Sequence, residues 1–176
     1  MATMAMHAAG NDSYVLCELA GATYALPSDD IQQLEMVAEP TPVPNAPPYV
    51  DGVVAVRGQV IPAVSLRARF GFPRVPVDVR TRLVVVRMRA RTVGLIVDAA
   101  REFATIPPES IKPLPEGIGG MSGRYLRGIA QDGDRLMLIL DVAELLDDDV
   151  TLAPNDTVPM VEPQGAAPVG TPIDTE

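Results

Sequence analysis

The chain is poor in the residues that do chemistry. It holds one histidine, His7, one cysteine, Cys17, and no tryptophan. A lone histidine ahead of the first periodic segment excludes a His-based triad or a His-rich metal centre in the core. A lone thiol excludes an internal disulfide and fits a reducing compartment. Three Phe and four Tyr are too few to interleave with cations as base-stacking platforms. Basic residues are outnumbered, 14 Lys and Arg against 23 Asp and Glu, and a net charge of −9 has the wrong sign for a nucleic-acid surface. No apolar run approaches the roughly 18 residues of a membrane span. The first ten residues lack the Lys or Arg of a secretory signal. Together these absences predict a cytoplasmic protein that is not an enzyme, carries no cofactor or metal, and does not insert in a membrane.

What the chain does have is a repeat. At a shift of 76, Tyr49-Val50-Asp51-Gly52-Val53 falls on Tyr125-Leu126-Arg127-Gly128-Ile129, and 22 residues run on without a gap. Val60 to Val64 meets Leu136 to Leu140, and Leu66 to Phe70 meets Val142 to Leu146. Upstream, at a shift of 69, Val15-Leu16-Cys17 meets Val84-Val85-Val86 and Tyr24-Ala25-Leu26 meets Val93-Gly94-Leu95. A period of this size predicts two similar β-rich units in one chain.

The local pattern agrees. Tyr14 to Leu19 and Thr23 to Leu26 read as a hairpin around Ala20-Gly21-Ala22. Ser28-Asp29-Asp30 is expected to cap a helical turn through Gln33, with a strand from Leu34 to Ala38. Five prolines make the next connection extended, up to Val50. Val53 to Val56 and Val60 to Val64 flank a turn at Arg57-Gly58, and a short helix from Leu66 stops near Gly71. Residues 72–81 read as the bridge between the halves. Then come a hairpin (83–88 and 92–97), a strand (101–106), a Gly-rich loop (117–123), a second hairpin at Asp132-Gly133 and a closing helix (142–146). Short strands with Gly and Pro turns predict barrels. The expected organisation is a loose extension at 1–12, a domain at 13–150 with halves at 13–72 and 82–147, and a disordered acidic, Pro-rich tail at 151–176.

Candidate functional residues are few. Cys17 lies in an apolar strand and reads as a small core residue. Asp98 ends a strand and reads as a bond to turn backbone, ahead of any role as a general acid. The Gly-rich loop does not fit G-x-G-x-x-G, because Ser122 stands at the third position. Arg87, Arg89 and Arg91 alternate and share a face. That face is either merely solvated or meets an acidic protein. Arg57 sits at a turn whose counterpart is Gly133-Asp134, so the turn itself does not require it. Its guanidinium either locks a neighbouring carboxylate or grips a partner. From the residues alone, a β-barrel module binding a small ligand or nucleic acid is the alternative to a protein adaptor.

The stretch from Val53 to Phe70, including Val56-Arg57-Gly58-Gln59-Val60-Ile61-Pro62, resembles the signature of the CheW family of chemotaxis coupling proteins. Val93-Gly94-Leu95-Ile96-Val97-Asp98, Tyr125 to Ile129 and Gly133 to Asp141 extend the likeness over roughly Ser13 to Asp147. The resemblance implies a mainly β fold of two five-stranded SH3-like barrels packed on an apolar seam, with short helices. It implies a non-catalytic adaptor between the cytoplasmic tip of chemoreceptors and the regulatory domain of a CheA-type histidine kinase, recruited to arrays at the inner face of the membrane. A receptor helix would lie in the groove between the barrels. On matching positions Ile31, Gln33, Leu34, the Arg57-Gly58 turn, Leu83 and Phe103 would lie near that groove, and Gly52 near the coupling surfaces. Gln33 stands where the family often has a carboxylate paired with the arginine. Glu35, Glu39 or Asp51 are the available substitutes.

Overall fold

The structure is a computed structural model and describes residues 12–117 and 123–146. The extension before Asp12, the middle of the Gly-rich loop and the acidic tail lie outside the described residues. In chain order the elements are β1 (Ser13–Leu19), β2 (Ala22–Pro27), β3 (Ile31–Met36), β4 (Val50–Val56), β5 (Gln59–Ser65), α1 (Leu66–Arg69), β6 (Arg82–Met88), β7 (Arg91–Val97), β8 (Ala99–Thr105), β9 (Leu126–Asp132), β10 (Arg135–Leu140) and α2 (Val142–Leu146). The repeat appears in these limits. β4 and β9, β5 and β10, and α1 and α2 begin 76 residues apart; β1 and β6, and β2 and β7, begin 69 apart. The β8–β9 connection is seven residues longer than the β3–β4 connection, which accounts for the two shifts.

The strands form two five-stranded sheets, ordered β8-β1-β2-β10-β9 and β3-β6-β7-β5-β4. The repeat superimposes one order on the other, down to the parallel pairs. Ala63 opposite Gly94 in β5–β7 is the counterpart of Ile139 opposite Ala25 in β10–β2. The sheets therefore do not coincide with the stretches 13–72 and 82–147. Each takes a hairpin from one repeat and three strands from the other, so the expected halves exchange strands. The cause lies in the parallel pairs: β2 finds its neighbour in β10, across the whole chain, because β3 leaves to pair with β6.

Three apolar clusters explain the sequence pattern. In β6, Leu83 and Val85 face the core inside their own sheet, with Val54, Ile61 and Ala63. Val84 and Val86 face the seam between the sheets, with Val15, Cys17, Leu19, Leu26 and Leu95. A strand buried on both faces reads as an unbroken apolar run, which is why residues 83–86 do not alternate. Leu16, Ala25, Ala130, Met137 and Ile139 make the matching core of the other sheet. The seam is the largest cluster, and α1 and α2 close it with Leu66, Val142, Leu145 and Leu146.

Local expectations hold with shifts of a few residues. The β1–β2 turn has Ala20 at φ 49° and Gly21 at 82°, and Gly71 ends α1 at φ 79°. Ser28-Asp29-Asp30 forms a 3-10 turn itself instead of capping one, with no side-chain cap, and β3 starts at Ile31 immediately after it. Ser65 caps α1 by accepting from Ala68 N, and Asp141 does the same for α2 from Glu144 N.

At the junction of the repeats the symmetry breaks. The Arg69 guanidinium lies 4.2 Å from the ring centre of Tyr49 and 4.9 Å from that of Tyr125, two tyrosines that are counterparts. It donates to the carbonyl of Leu145, which occupies its own counterpart position.

Candidate functional site

The β4–β5 hairpin ends in a two-residue turn, with Val56 opposite Gln59. Arg57 and Gly58 both take positive φ, 48° and 78°. Such turns match strand twist, and they favour Asn or Gly at the first position. Arginine held there costs roughly 1 kcal/mol of backbone strain. Arg57 Nε lies 3.7 Å from Glu35 Oε1, with side chains 77% and 37% exposed. That is an ion pair too long and too wet to fix either group; pairs of this kind contribute ~0–1 kcal/mol.

Of the three acidic residues considered for Arg57, Glu35 is the one that faces it, two positions along β3 from Gln33. The two are separated by one residue on β3 and share a face. Asp51 is committed elsewhere, to Arg74, which also reaches the carbonyl of Pro48. Glu35, Met36 and Ala38 from one edge of the sheet meet Val54, Ala55, Val56 and Arg57 from the other across a shallow depression with Leu83 as its floor. These edge strands are the two ends of the sheet order, so the sheet curls until its margins face one another.

The other expected site residues separate. Leu83 is fully buried, and its side chain occupies the space a Cβ on Gly94 would need, 2.6 Å from Leu83 Cδ1. Ile31 and Leu34 are half-buried and pack on the seam cluster. Gln33 is half-buried opposite Val85. Gly52 is buried for a backbone reason: a Cβ there would sit 2.1 Å from the Thr41 carbonyl, and its φ is 142°. Thr41 and Val53 exchange backbone bonds at that point. The repeat has the same arrangement at Gly128 against Lys112. Phe103 lies on the edge strand of the other sheet, 70% exposed. Of these residues Leu83 alone shares the Arg57 depression; Gly52 is buried, Ile31 and Leu34 pack on the seam, whose apolar side chains lie between the sheets, and Phe103 stands on the edge of the other sheet.

Two groups considered for chemistry have structural places. Cys17 is buried, and desolvation pushes its thiol up to about 12, so the thiolate is suppressed. Asp98 accepts from Arg67 Nε at 2.7 Å, from a terminal nitrogen of Arg67 at 2.6 Å and from Ala20 N at 2.9 Å. Burial alone pushes this carboxyl upward. The Arg67 and Ala20 hydrogen bonds and the Arg67 charge outweigh it and hold the carboxyl below its ordinary range. Asp98 thereby ties the β1–β2 turn to α1 across the seam. Sequence reasoning had the turn bond but not Arg67, which lies 31 residues away. No cluster of three or more His, Cys, Asp or Glu suited to a metal occurs among the described residues, and none of their helices is long and apolar enough to cross a membrane.

A family model for the CheW-like domain matches residues 13–150. The chain is 32% identical to a chemotaxis protein CheW of Bacillus subtilis over 127 residues, which is 72% of this chain and 81% of the relative. It is 36% identical to a chemotaxis protein CheW of Helicobacter pylori over 126 residues, 72% of this chain and 76% of the relative. Among solved structures, the scaffolding protein TtCheW of Thermoanaerobacter tengcongensis superimposes with a TM-score of 0.70 at 28% identity, covering 77% of this chain and 92% of that one.

Proposed function

Since the chain belongs to the CheW-like domain family, we propose that it is a non-catalytic adaptor that couples chemoreceptors to a CheA-type histidine kinase in a chemosensory array. It acts in the cytoplasm, at the inner face of the membrane, with no cofactor. The relatives named for chemotaxis and the neighbour described as a scaffold support this reading.

The observation that carries it furthest is Arg57: a mostly exposed guanidinium, on a strained turn that does not need it, held by one loose carboxylate. A planar fork of donors left this free suits a carboxylate or backbone carbonyl on another protein. Apolar side chains stand out at counterpart positions of both hairpins, Val60 at 60% and Leu136 at 58% exposure, with Met36 at 71% beside the Arg57 depression. Such anchors inside a polar rim are the usual make-up of a binding surface. The adaptor contacts the kinase regulatory domain through these sheet ends, in an interface of order 1,600 Å². Ile31, Gln33, Leu34 and Phe103 belong to the receptor-facing surface.

The test is a titration of the purified chain with a CheA-type regulatory domain, and then with Arg57→Ala. The parent forms a complex at micromolar concentration. Arg57→Ala weakens it by roughly tenfold, ~1.4 kcal/mol, and shifts the thermal transition by no more than the small contribution of an exposed ion pair. No complex at high micromolar concentration overturns the reading. A collapsed thermal transition in Arg57→Ala assigns the arginine to the fold instead.

A further inference from the structure

Among the described residues, four of the eight strand ladders join the two halves of the chain: β1–β8 and β2–β10 in one sheet, β3–β6 and β5–β7 in the other. The other four are hairpins made within a half, β1–β2, β4–β5, β6–β7 and β9–β10. β3 and β8 find their strand partners only in the opposite half. The seam is likewise shared, with Leu19, Leu26 and Leu66 from one half and Val84, Leu95 and Leu140 from the other. The halves are joined covalently only through residues 72–81. The corresponding half of a second copy therefore offers the same ladders and the same seam as the chain's own.

The bridge itself has the make-up of a hinge. Residues 72–78 belong to no helix, strand or turn. The first part is fastened to the half it leaves: the Pro73 carbonyl accepts from Arg67 at 3.1 Å, and Arg74 donates to the Asp51 carboxylate and the Pro48 carbonyl. The last part is fastened to itself, where the Asp78 carboxylate accepts from the Arg80 and Thr81 amides just ahead of β6. Between these anchors the side chains face water, with Val75 50%, Val77 58% and Val79 82% exposed. Three valines at alternate positions share one face once the segment is fully extended. Pro73 and Pro76 favour that extended form.

We infer that residues 75–81 are the hinge of an exchanged dimer, in which residues 13–72 of each copy complete both sheets with residues 82–146 of the other. Monomer and dimer then share every ladder and the whole seam, and differ only in the bridge. The two hinges run in opposite directions, because each leaves the body that the other enters. With Val77 opposite Val77, Val75 faces Val79 and Pro76 faces Asp78. When the valines occupy the hydrogen-bonded pairs, the Pro76 nitrogen points outward, where no N–H is needed. The valines that face water in the monomer meet one another in this ribbon. Exchange requires parting four ladders, so it takes place during refolding and not on mixing native chains. The inference concerns assembly and stands or falls apart from the adaptor reading.

The experiment uses the full chain with Met36→Cys and Arg82→Cys, residues directly opposite each other on β3 and β6. A closed monomer forms this disulfide within one chain, and an exchanged dimer forms it between chains. Cys17 is buried and stays out of the reaction. Chains unfolded in urea are refolded under reductant at micromolar and at millimolar concentration, then oxidised and separated without reductant. The expected product is the intrachain disulfide at micromolar concentration, with at least fivefold more covalent dimer at millimolar concentration. Deleting residues 75–79 shortens the reach of the bridge by roughly 17 Å and should make the covalent dimer dominant even at micromolar concentration. Val77→Lys sets like charges opposite one another at the centre of the ribbon. It should cut the dimer yield at least threefold while leaving the monomer's urea midpoint unchanged. No rise of covalent dimer with concentration overturns the inference, whatever the deletion does, and so does a deleted chain that folds as a closed monomer. A covalent dimer formed equally by Met36→Cys or Arg82→Cys alone is an accidental surface disulfide and overturns it too.

Discussion

Replacing Asp98 by Asn tests the join between the sheets. The carboxylate receives three hydrogen bonds, two of them from one guanidinium, and the side chains of Asp98 and Arg67 are 17% and 18% exposed. Asparagine keeps the shape but removes the charge and turns an amine toward Arg67. Breaking a fully buried pair costs about 3–5 kcal/mol, and this pair retains some water, so the expected loss is ~2–3 kcal/mol. For a domain of this size that lowers Tm by roughly 6–15 °C.

The pH dependence has a definite sign. The Asp98 pKa is lower in the fold than in the unfolded chain. Its contribution is therefore complete above the unfolded value, ~3.9, and is lost as pH falls through the folded value. Urea unfolding at pH 7 should show the full gap between parent and Asp98→Asn, and the gap should narrow below pH 4. A cycle with Arg67→Met isolates the pair: Asp98→Asn should cost much less once the arginine is gone. A pH-independent gap, or additive losses in the cycle, would refute the reasoning.

Two glycines separate collision from strain. Gly52→Ala must drive a methyl into the Thr41 carbonyl and should cost more than ~3 kcal/mol or prevent folding, whereas Gly58→Ala meets open space at φ 78° and should cost only ~1 kcal/mol; equal losses by urea unfolding would show that the Thr41 contact is not tight. Native Cys17 should fail to react with a thiol reagent at pH 8 over the time in which the urea-unfolded chain reacts completely, because its thiol is buried and pushed up to about 12. Rapid native labelling would mean that the seam opens.

Much of this architecture is legible in the residues, but unevenly. The two shifts locate matched strands to within a few residues, because Gly52 packs on the Thr41 carbonyl as Gly128 packs on that of Lys112, and Ser65 caps α1 as Asp141 caps α2. The exchange of strands is not legible. The apolar run Tyr24-Ala25-Leu26 shows that β2 is covered on both faces but not that β10 lies alongside it, since that choice is made by contacts more than a hundred residues apart. The continuous run at 83–86 identifies a strand buried on both faces without saying what covers each face. At the site, Arg57 was conspicuous because its turn has no need of it. Glu35 was one of three candidates, and alternation with Gln33 favours it, but only the curl of the sheet brings it opposite.

The exchanged strands have a consequence for the molecule's integrity. Severing the peptide between Pro73 and Arg80 would not release two bodies, because each sheet would still hold pieces of both fragments, joined by backbone ladders on either side of the cut. Neither fragment owns a finished sheet, so neither is a viable ancestor alone. Two copies of one fragment, trading hairpins, would complete both sheets, and the present chain has the form of such a pair joined end to end.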